Sequence, residues 1–89
     1  MIERELVISN RLGLHARATA RLVQLLSGFA SKVTLEARGR EVNGKSIMGV
    51  MLLAAGPGTR VLLRAEGEDA QAALDAAEAL FERRFDEDG

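Results

Sequence analysis

The chain has 89 residues, of which 47% are hydrophobic and 28% charged, and its net charge is −1. These values fit one small globular domain over 1–89. The absence of cysteine excludes disulfides and thiolate metal sites, and an acidic isoelectric point without aromatic residues among the basic ones argues against nucleic-acid binding.

The start of the chain is charged and lacks the apolar region of a signal peptide. No apolar run approaches the roughly 18 residues that span a bilayer, so a cytoplasmic protein without membrane insertion is expected.

Charge is unevenly distributed along the chain. Residues 1–45 hold eight basic and four acidic residues, which gives a net charge of +4. Residues 46–89 hold four basic and nine acidic residues, which gives a net charge of −5. Such an asymmetry can favour an anion or an acidic partner, or it can be ordinary surface scatter.

The apolar residues predict seven elements in the order β-α-β-β-α-β-α. Strands are predicted where apolar and polar residues alternate, and helices where apolar residues recur every three to four positions. In chain order the predicted elements cover residues 3–8, 16–27, 32–37, 40–42, 47–55, 60–66 and 70–85.

Capping and turn residues set the ends of the predicted helices. Ser46 precedes the apolar run 47–55 and a Gly-Pro-Gly segment follows it, so a short helix is favoured over a strand. Asp69 can cap the last helix, and the tail 86–89 is expected to fray.

These elements predict an α+β fold, because both β-α-β connections are long enough to cross over and residues 38–39 form a hairpin turn. We expect an open-faced sandwich, with a four-stranded antiparallel sheet and three helices on one face. Many unrelated binding proteins share this layout, so the fold alone does not give a function.

Residues 39–46 match the P-loop pattern G-x-x-x-x-G-K-[ST]. A phosphate cradle of that kind needs a loop between a strand and a long helix in a parallel sheet. Here residues 40–42 are predicted to be a strand, the next helix is short, and the chain is too short for such a domain. Nucleotide hydrolysis is therefore not expected.

His15 is the only histidine in the chain and stands where a loop becomes a helix. Metal binding is disfavoured, because there is no second histidine and no cysteine. A catalytic triad would need a serine or cysteine that the sequence does not place nearby. A buried structural histidine stays open at this point.

The neighbours of His15 favour an anion site. Gly13 permits close backbone approach, and the first N–H groups of the predicted helix attract negative charge. Arg17 adds a guanidinium suited to phosphate. An imidazole among these groups is a nucleophile beside an anion site, so His15 is a candidate acceptor of a phosphoryl group. No metal and no cofactor are implied.

The helix after Ser46 also has two interpretations. Ser46 can be an N-cap, which its position favours, or a regulated hydroxyl at a helix start, where a phosphate would be tolerated. The following apolar residues are core by default, yet the helix is apolar nearly all round and part of it should be exposed. Adaptable methionines on such a surface suit several partners. These apolar residues are Ile47, Met48, Met51 and Leu52.

The segments Gly13-Leu14-His15-Ala16-Arg17 and Lys45-Ser46-Ile47-Met48-Gly49-Val50-Met51-Leu52 together strongly resemble HPr. HPr is the histidine-containing phosphocarrier family of the bacterial phosphoenolpyruvate-dependent sugar phosphotransferase system. The resemblance extends over about residues 1–85, and two motifs at the family's separation make it specific.

The resemblance implies that His15 receives a phosphoryl group on Nδ1 from enzyme I and passes it to sugar-specific IIA proteins. It implies that Arg17 steadies the phosphate and that Ser46 is the target of an HPr kinase/phosphorylase where the cell has one. The protein would act as a monomeric carrier. The partner-binding patch implied by the family comprises Leu14, Ala20, Ile47, Met48, Met51 and Leu52.

The sequence departs from the family at Ala18, where proline is usual, and at Gln24 and Ser27, where some relatives carry lysines. Alanine is a better helix former and adds an N–H group, so the first turn should survive. The departures at Gln24 and Ser27 leave the choice of acceptor open. A regulatory carrier of the nitrogen-related phosphotransferase branch stays an alternative, as does a non-catalytic interaction module.

Overall fold

The computed structural model describes residues 1–87 and contains the predicted elements in the predicted order. The strands are β1 (Ile2–Val7), β2 (Lys32–Ala37), β3 (Arg40–Asn43) and β4 (Arg60–Glu66). The helices are α1 (Ala16–Ser27), α2 (Ile47–Leu52) and α3 (Ala70–Glu82), and a short 3-10 turn follows at Arg84–Asp86. Within the described part of the chain, no helix has the length and apolarity needed to cross a membrane.

The four strands form one sheet in the order β1-β4-β2-β3, and every neighbouring pair is antiparallel. Helix α3 contacts β1 and β4, α2 contacts β3, and α1 contacts both other helices. The predicted open-faced sandwich is confirmed.

Alternation along the strands places apolar side chains under the helices. The buried strand residues include Leu6, Val33, Leu35, Val61 and Leu63, and the helices add Leu22, Leu26, Leu74 and Phe81. The core is aliphatic except for two phenylalanines near the end of the chain. Since this core holds both the sheet and α1, it fixes the position at which α1 begins.

The opposite face of the sheet is polar, and Arg64 of β4 connects the strands on this face. Its guanidinium contacts Glu3 of β1 at 2.6 Å, Glu36 of β2 at 2.6 Å and Glu41 of β3 at 2.7 Å. One side chain therefore links all four strands. The hydrogen bond from Arg64, aided by one from Thr34, lowers the pKa of Glu41.

Helix α2 is shorter than predicted and ends at Leu52. Arginines of the β2–β3 hairpin bind the carbonyls at this end. Arg38 donates to the oxygens of Leu53 and Ala54 at 2.7 and 2.9 Å, and Arg40 donates to Leu52 at 3.1 Å. The backbone turns away at Ala54, where φ is 48°. These side-chain donors replace the further helical turn that the apolar run predicted.

Helix α3 also ends earlier than predicted, at Glu82 rather than at Phe85. Arg84, Phe85 and Asp86 have φ angles of 56°, 57° and 60°, so the chain reverses in the left-handed region. Phe85 is fully buried and its ring centroid lies 4.8 Å from that of Phe81. Burial of this ring offsets the cost of the unusual turn.

The prediction that Asp69 caps α3 is wrong, because its side chain makes no capping hydrogen bond. Its carboxylate instead accepts from the backbone N–H groups of Ala30 and Ser31 at 2.8 and 2.9 Å, and from the Ser31 hydroxyl. Asp69 therefore joins the start of α3 to the loop between α1 and β2.

Candidate functional site

The loop before His15 is held by hydrogen bonds to two parts of the chain. Asn10 is fully buried, and its Nδ2 donates to the carbonyl of Gly13 at 2.8 Å. The N–H of Leu14 donates to the carbonyl of Ala55 at 2.9 Å. Gly13 has a φ of 67°, and a Cβ there would lie 2.5 Å from the Ala55 oxygen. A glycine is required at this close approach, and it fixes where the histidine emerges.

His15 is the N-cap residue of α1, with an extended backbone and φ of −74°. Its carbonyl accepts from the N–H of Thr19 at 2.9 Å, which is the first helical hydrogen bond. The imidazole makes no capping bond, and its side chain is 29% exposed. Capping of the helix therefore does not occupy the ring.

The first turn of α1 offers an anion-binding environment. The N–H groups of Ala16, Arg17 and Ala18 precede the first i→i−4 bond and have no carbonyl one turn back in the helix. No acidic residue lies in this turn, so the positive end of the helix dipole is not neutralised from within it. Ala18 is fully buried and the helix begins normally at Ala16, so the first turn survives without the proline usual in the family.

Arg17 lies in the same turn and is exposed. Within residues 1–87 the structure shows no ion pair to its guanidinium, which leaves it available to an added anion.

Glu87 is a member of this site that the sequence did not indicate. Its carboxylate accepts from Asn10 Nδ2 at 2.7 Å and from Nε2 of His15. The prediction of a frayed tail is thus wrong at Glu87, while Asp88 and Gly89 lie outside the described residues. No local signal marks Glu87, because the left-handed turn that returns it to His15 depends on the buried Phe85.

The environment of Glu87 favours its charged form. Desolvation by burial raises the pKa of Glu87, but the hydrogen bonds from Asn10 and His15 outweigh it, and the pKa is lowered. The nearby charge of Arg21 acts in the same direction. Arg21 also donates from Nη1 to the carbonyl of Phe85, so α1 contacts the tail at two points, His15 and Arg21.

Ser46 is the N-cap of α2, and its Oγ accepts from the N–H of Gly49 at 3.0 Å. The capping interpretation is confirmed. Residues of the P-loop match that would have formed a phosphate loop lie instead in β3, which agrees with the exclusion of that motif. Among residues 1–87, no group of three His, Cys, Asp or Glu could hold a metal ion.

Four apolar side chains of α2 are exposed, and we call them the α2 patch: Ile47 (46%), Met48 (77%), Met51 (44%) and Leu52 (60%). Two other residues of the predicted partner-binding patch are less exposed. Leu14 is buried in the core, and Ala20 is partly buried on α1. Leu12, in the loop before His15, is a further exposed apolar residue, with 66% of its surface accessible.

The comparisons with known proteins agree with this geometry. Residues 2–83 match the family model described as "PTS HPr component phosphorylation site". The chain belongs to the HPr family. It is 60% identical over 88 residues to phosphocarrier protein HPr of Xylella fastidiosa (strain 9a5c), with 99% of each chain covered. This places it among phosphocarrier proteins of the phosphotransferase system.

Other HPr-family proteins are also similar to the chain. The chain is 41% identical over 86 residues to phosphocarrier protein NPr of Shewanella violacea, covering 97% and 94% of the two chains. Its fold matches HPr-C-His from Thermoanaerobacter tengcongensis with a TM-score of 0.96, 43% identity and all of both chains covered. An HPr dimer from that organism matches with a TM-score of 0.79 and 44% identity over 98% and 100%.

Proposed function

We propose that this HPr-family chain receives a phosphoryl group from phosphorylated enzyme I on His15 and passes it to sugar-specific IIA proteins. The observation that carries the proposal is the position of His15. It occupies the N-cap of α1, directly before the residues whose N–H groups begin the helix, and its side chain makes no capping bond. A nucleophile beside an anion site is the arrangement that a reversible phosphoryl carrier needs.

In the proposed transfer, the lone pair of His15 Nδ1 attacks the phosphorus of the donor's phosphohistidine. The new N–P bond forms as the donor's P–N bond breaks, and the electron pair returns to the donor's imidazole. The N–H groups at the start of α1 and the guanidinium of Arg17 then hold the phosphate oxygens. The remaining contribution of the protein is positioning, with no further covalent chemistry.

Transfer from labelled phosphoenolpyruvate through enzyme I tests this proposal. Wild-type protein and Ser46→Ala should take up label that is lost on brief acid treatment, while His15→Ala should take up none. Label on His15→Ala protein would overturn the proposal. Unlabelled wild-type protein would favour the alternative of a non-catalytic interaction module.

Arg17 is proposed to hold the phosphate rather than to support the fold. Arg17→Ala should slow transfer about tenfold, the order of effect expected when a charged hydrogen bond to a phosphate is lost, with an unchanged unfolding midpoint. Arg11→Ala is the matched control, because Arg11 is also exposed and lies in the preceding loop. Equal rates for wild type and Arg17→Ala would count against this role.

We infer that the α2 patch docks the partners and that Ser46 regulates docking. A phosphate on Ser46 adds about −1.5 to −2 charge at the start of α2, beside the exposed Met48. Ser46→Asp should therefore weaken binding of enzyme I, whereas Ser46→Asn, a neutral N-cap, should not. Equal affinity of the two variants would contradict the electrostatic account.

Docking through the α2 patch predicts that Met48→Ala raises KM for enzyme I severalfold, since Met48 is 77% exposed and supplies adaptable apolar surface. Val7→Ala is the control, because Val7 is 50% exposed on the edge strand β1. A KM unchanged by Met48→Ala would exclude this residue from docking. We propose that the carrier is cytoplasmic and works as a monomer. Sedimentation at working concentration checks the monomeric state.

The nitrogen-related branch is a second candidate function, favoured by the similarity to NPr. The two functions differ in their phosphoryl donor. Transfer rates from the enzyme I of the sugar branch and from its nitrogen-branch counterpart, measured side by side, decide between them. A rate at least tenfold higher with the nitrogen-branch donor would replace the proposed sugar role.

A further inference from the structure

The end of the chain supplies a carboxylate to the only histidine, across 72 residues of sequence. Glu87 accepts from His15 Nε2, and its own side chain is only 14% exposed. A carboxylate on one imidazole nitrogen orients the ring and selects the tautomer that carries the proton on that nitrogen. With Nε2–H directed at Glu87, the free lone pair lies on Nδ1.

The contact is built by several groups. Asn10 uses Nδ2 for two acceptors, the carbonyl of Gly13 at 2.8 Å and Glu87 Oε1 at 2.7 Å. Because both partners are acceptors, the amide must present its nitrogen to them. Asn10 is fully buried, and its Oδ1 has no partner within the described residues. A buried acceptor without a hydrogen-bond partner reduces the stability of the fold, and the two hydrogen bonds from Nδ2 offset that loss.

The tail is also anchored just before Glu87. Phe85 is fully buried, and its carbonyl accepts from Arg21 on the second turn of α1. The three left-handed residues Arg84–Asp86 reverse the chain so that the next side chain meets the imidazole. The buried ring of Phe85 and the hydrogen bond from Arg21 thus hold the middle of the turn, while Asn10 holds the carboxylate of Glu87.

We propose that Glu87 is a positioning residue for phosphoryl transfer, which holds His15 with Nε2 protonated and Nδ1 free for attack. This inference rests on the proposed function of His15. When Nδ1 forms the N–P bond, the ring gains positive charge that Nε2–H shares with the carboxylate. A carboxylate behind a histidine stabilises the charged ring in the same way when the histidine acts as a base.

The test compares wild type, Glu87→Ala, Glu87→Gln and Asp86→Asn as full chains. Asp86→Asn is the matched control, because Asp86 adjoins Glu87 but binds Arg83 at 2.9 Å. Nitrogen-15 NMR of neutral His15 in the unphosphorylated protein reports the tautomer. The Nε2–H form should dominate in wild type and Asp86→Asn, and the Nδ1–H form should increase in Glu87→Ala.

Transfer from enzyme I is then measured on the same variants. Glu87→Ala and Glu87→Gln should lower kcat about tenfold with KM within twofold of wild type, because the ring is affected and the α2 patch is not. Asp86→Asn should match wild type. A wild-type tautomer ratio in Glu87→Ala would overturn the proposal, as would a kcat equal to wild type or an effect confined to KM.

The two readouts separate this proposal from the function on which it rests. If wild-type protein accepted no phosphate while Glu87→Ala shifted the tautomer, the carrier function would fail and the contact would stand as structure only. If wild-type protein accepted phosphate and Glu87→Ala behaved identically in both measurements, the role of Glu87 alone would fail.

Discussion

Gly13 determines how the histidine loop meets the segment after α2. Its φ is 67°, and an added Cβ would lie 2.5 Å from the oxygen of Ala55 and 2.7 Å from Cα of Gly56. Both contacts are with backbone, which cannot rotate away. Gly13→Ala should therefore reduce the free energy of unfolding by about 3 kcal/mol or more, since left-handed strain and overpacking add. Urea denaturation followed by circular dichroism measures the loss.

Gly39→Ala is the control for this substitution. Gly39 has a φ of 81°, but an added Cβ would meet no atom within 4 Å. Only the left-handed penalty applies, about 1 kcal/mol. Similar losses in the two variants would show that the contact with Ala55 is unimportant.

Ser46 contributes to stability whether or not it is modified. Its Oγ accepts from the N–H of Gly49 at 3.0 Å, and the six-residue α2 has few other internal bonds. Ser46→Ala should cost about 1 kcal/mol, and Ser46→Asn, which can also cap, should cost less. Unfolding curves in urea compare the three proteins. Equal stability of wild type and Ser46→Ala would mean that the cap is dispensable.

The residues of the site were predictable to different degrees. His15 at a helix start follows from local pattern, because the loop residues and the helical periodicity adjoin it in sequence. Glu87 could not be predicted in the same way. Its approach depends on three consecutive left-handed residues and on burial of Phe85, and nothing in an acidic tail indicates either.

At the scale of elements, Asp69 replaces a local cap by a tertiary connection. The hydrogen bond from the Ser31 hydroxyl and that from the N–H of Ala30 lower the pKa of Asp69. Because its pKa in the folded state is below the unfolded value of about 3.9, the carboxylate stabilises the fold fully above that value. The contribution is lost as pH falls through the folded-state pKa.

Asp69→Asn should therefore be less stable than wild type, by a difference that is constant between pH 5 and 7 and shrinks below about pH 4. Urea denaturation at several pH values measures the difference. Glu68→Gln, which removes the adjacent exposed charge, is the control. A difference that grew on acidification would contradict the assigned bonds.

The elements themselves were largely predictable, because the apolar residues of each packing face recur in the sequence at the spacing of a strand or a helix. Strand β4 runs over Arg60–Glu66 and α1 over Ala16–Ser27, as the alternation and the helical spacing predicted. The end of α2 was not predictable, because Arg38 and Arg40 bind its last carbonyls from another hairpin. Such donors are distant in sequence, so the spacing of apolar residues in α2 does not indicate them.

At the scale of the whole molecule, ion pairs join the two halves of the chain in both directions, because Arg4 pairs with α3 while Arg64 pairs with carboxylates of residues 1–45. Arg4 binds Asp75 and Glu78 of α3 at 2.7 and 3.0 Å, and its hydrogen bond lowers the pKa of Asp75. Arg4 is therefore paired within the chain rather than available to an external anion.

Phe85 connects the global fold to the site, because its burial holds the turn that delivers Glu87. Phe85→Ala should lose about 3–5 kcal/mol of unfolding free energy, as expected for a deleted buried ring, including its contact with Phe81. It should also release Glu87 and shift the His15 tautomer as Glu87→Ala does. Urea denaturation and nitrogen-15 NMR measure the two effects.

Phe29→Ala is the matched control, because Phe29 is only partly buried against the core and lies at the opposite end of α1 from His15. It should cost less than Phe85→Ala and leave the His15 resonances unchanged. If Phe85→Ala lost stability while the Nε2–H tautomer persisted, Glu87 would reach the histidine without the buried ring, and the anchoring role of Phe85 would be wrong. A joint loss would show that one core contact supports both the fold and the orientation of the histidine.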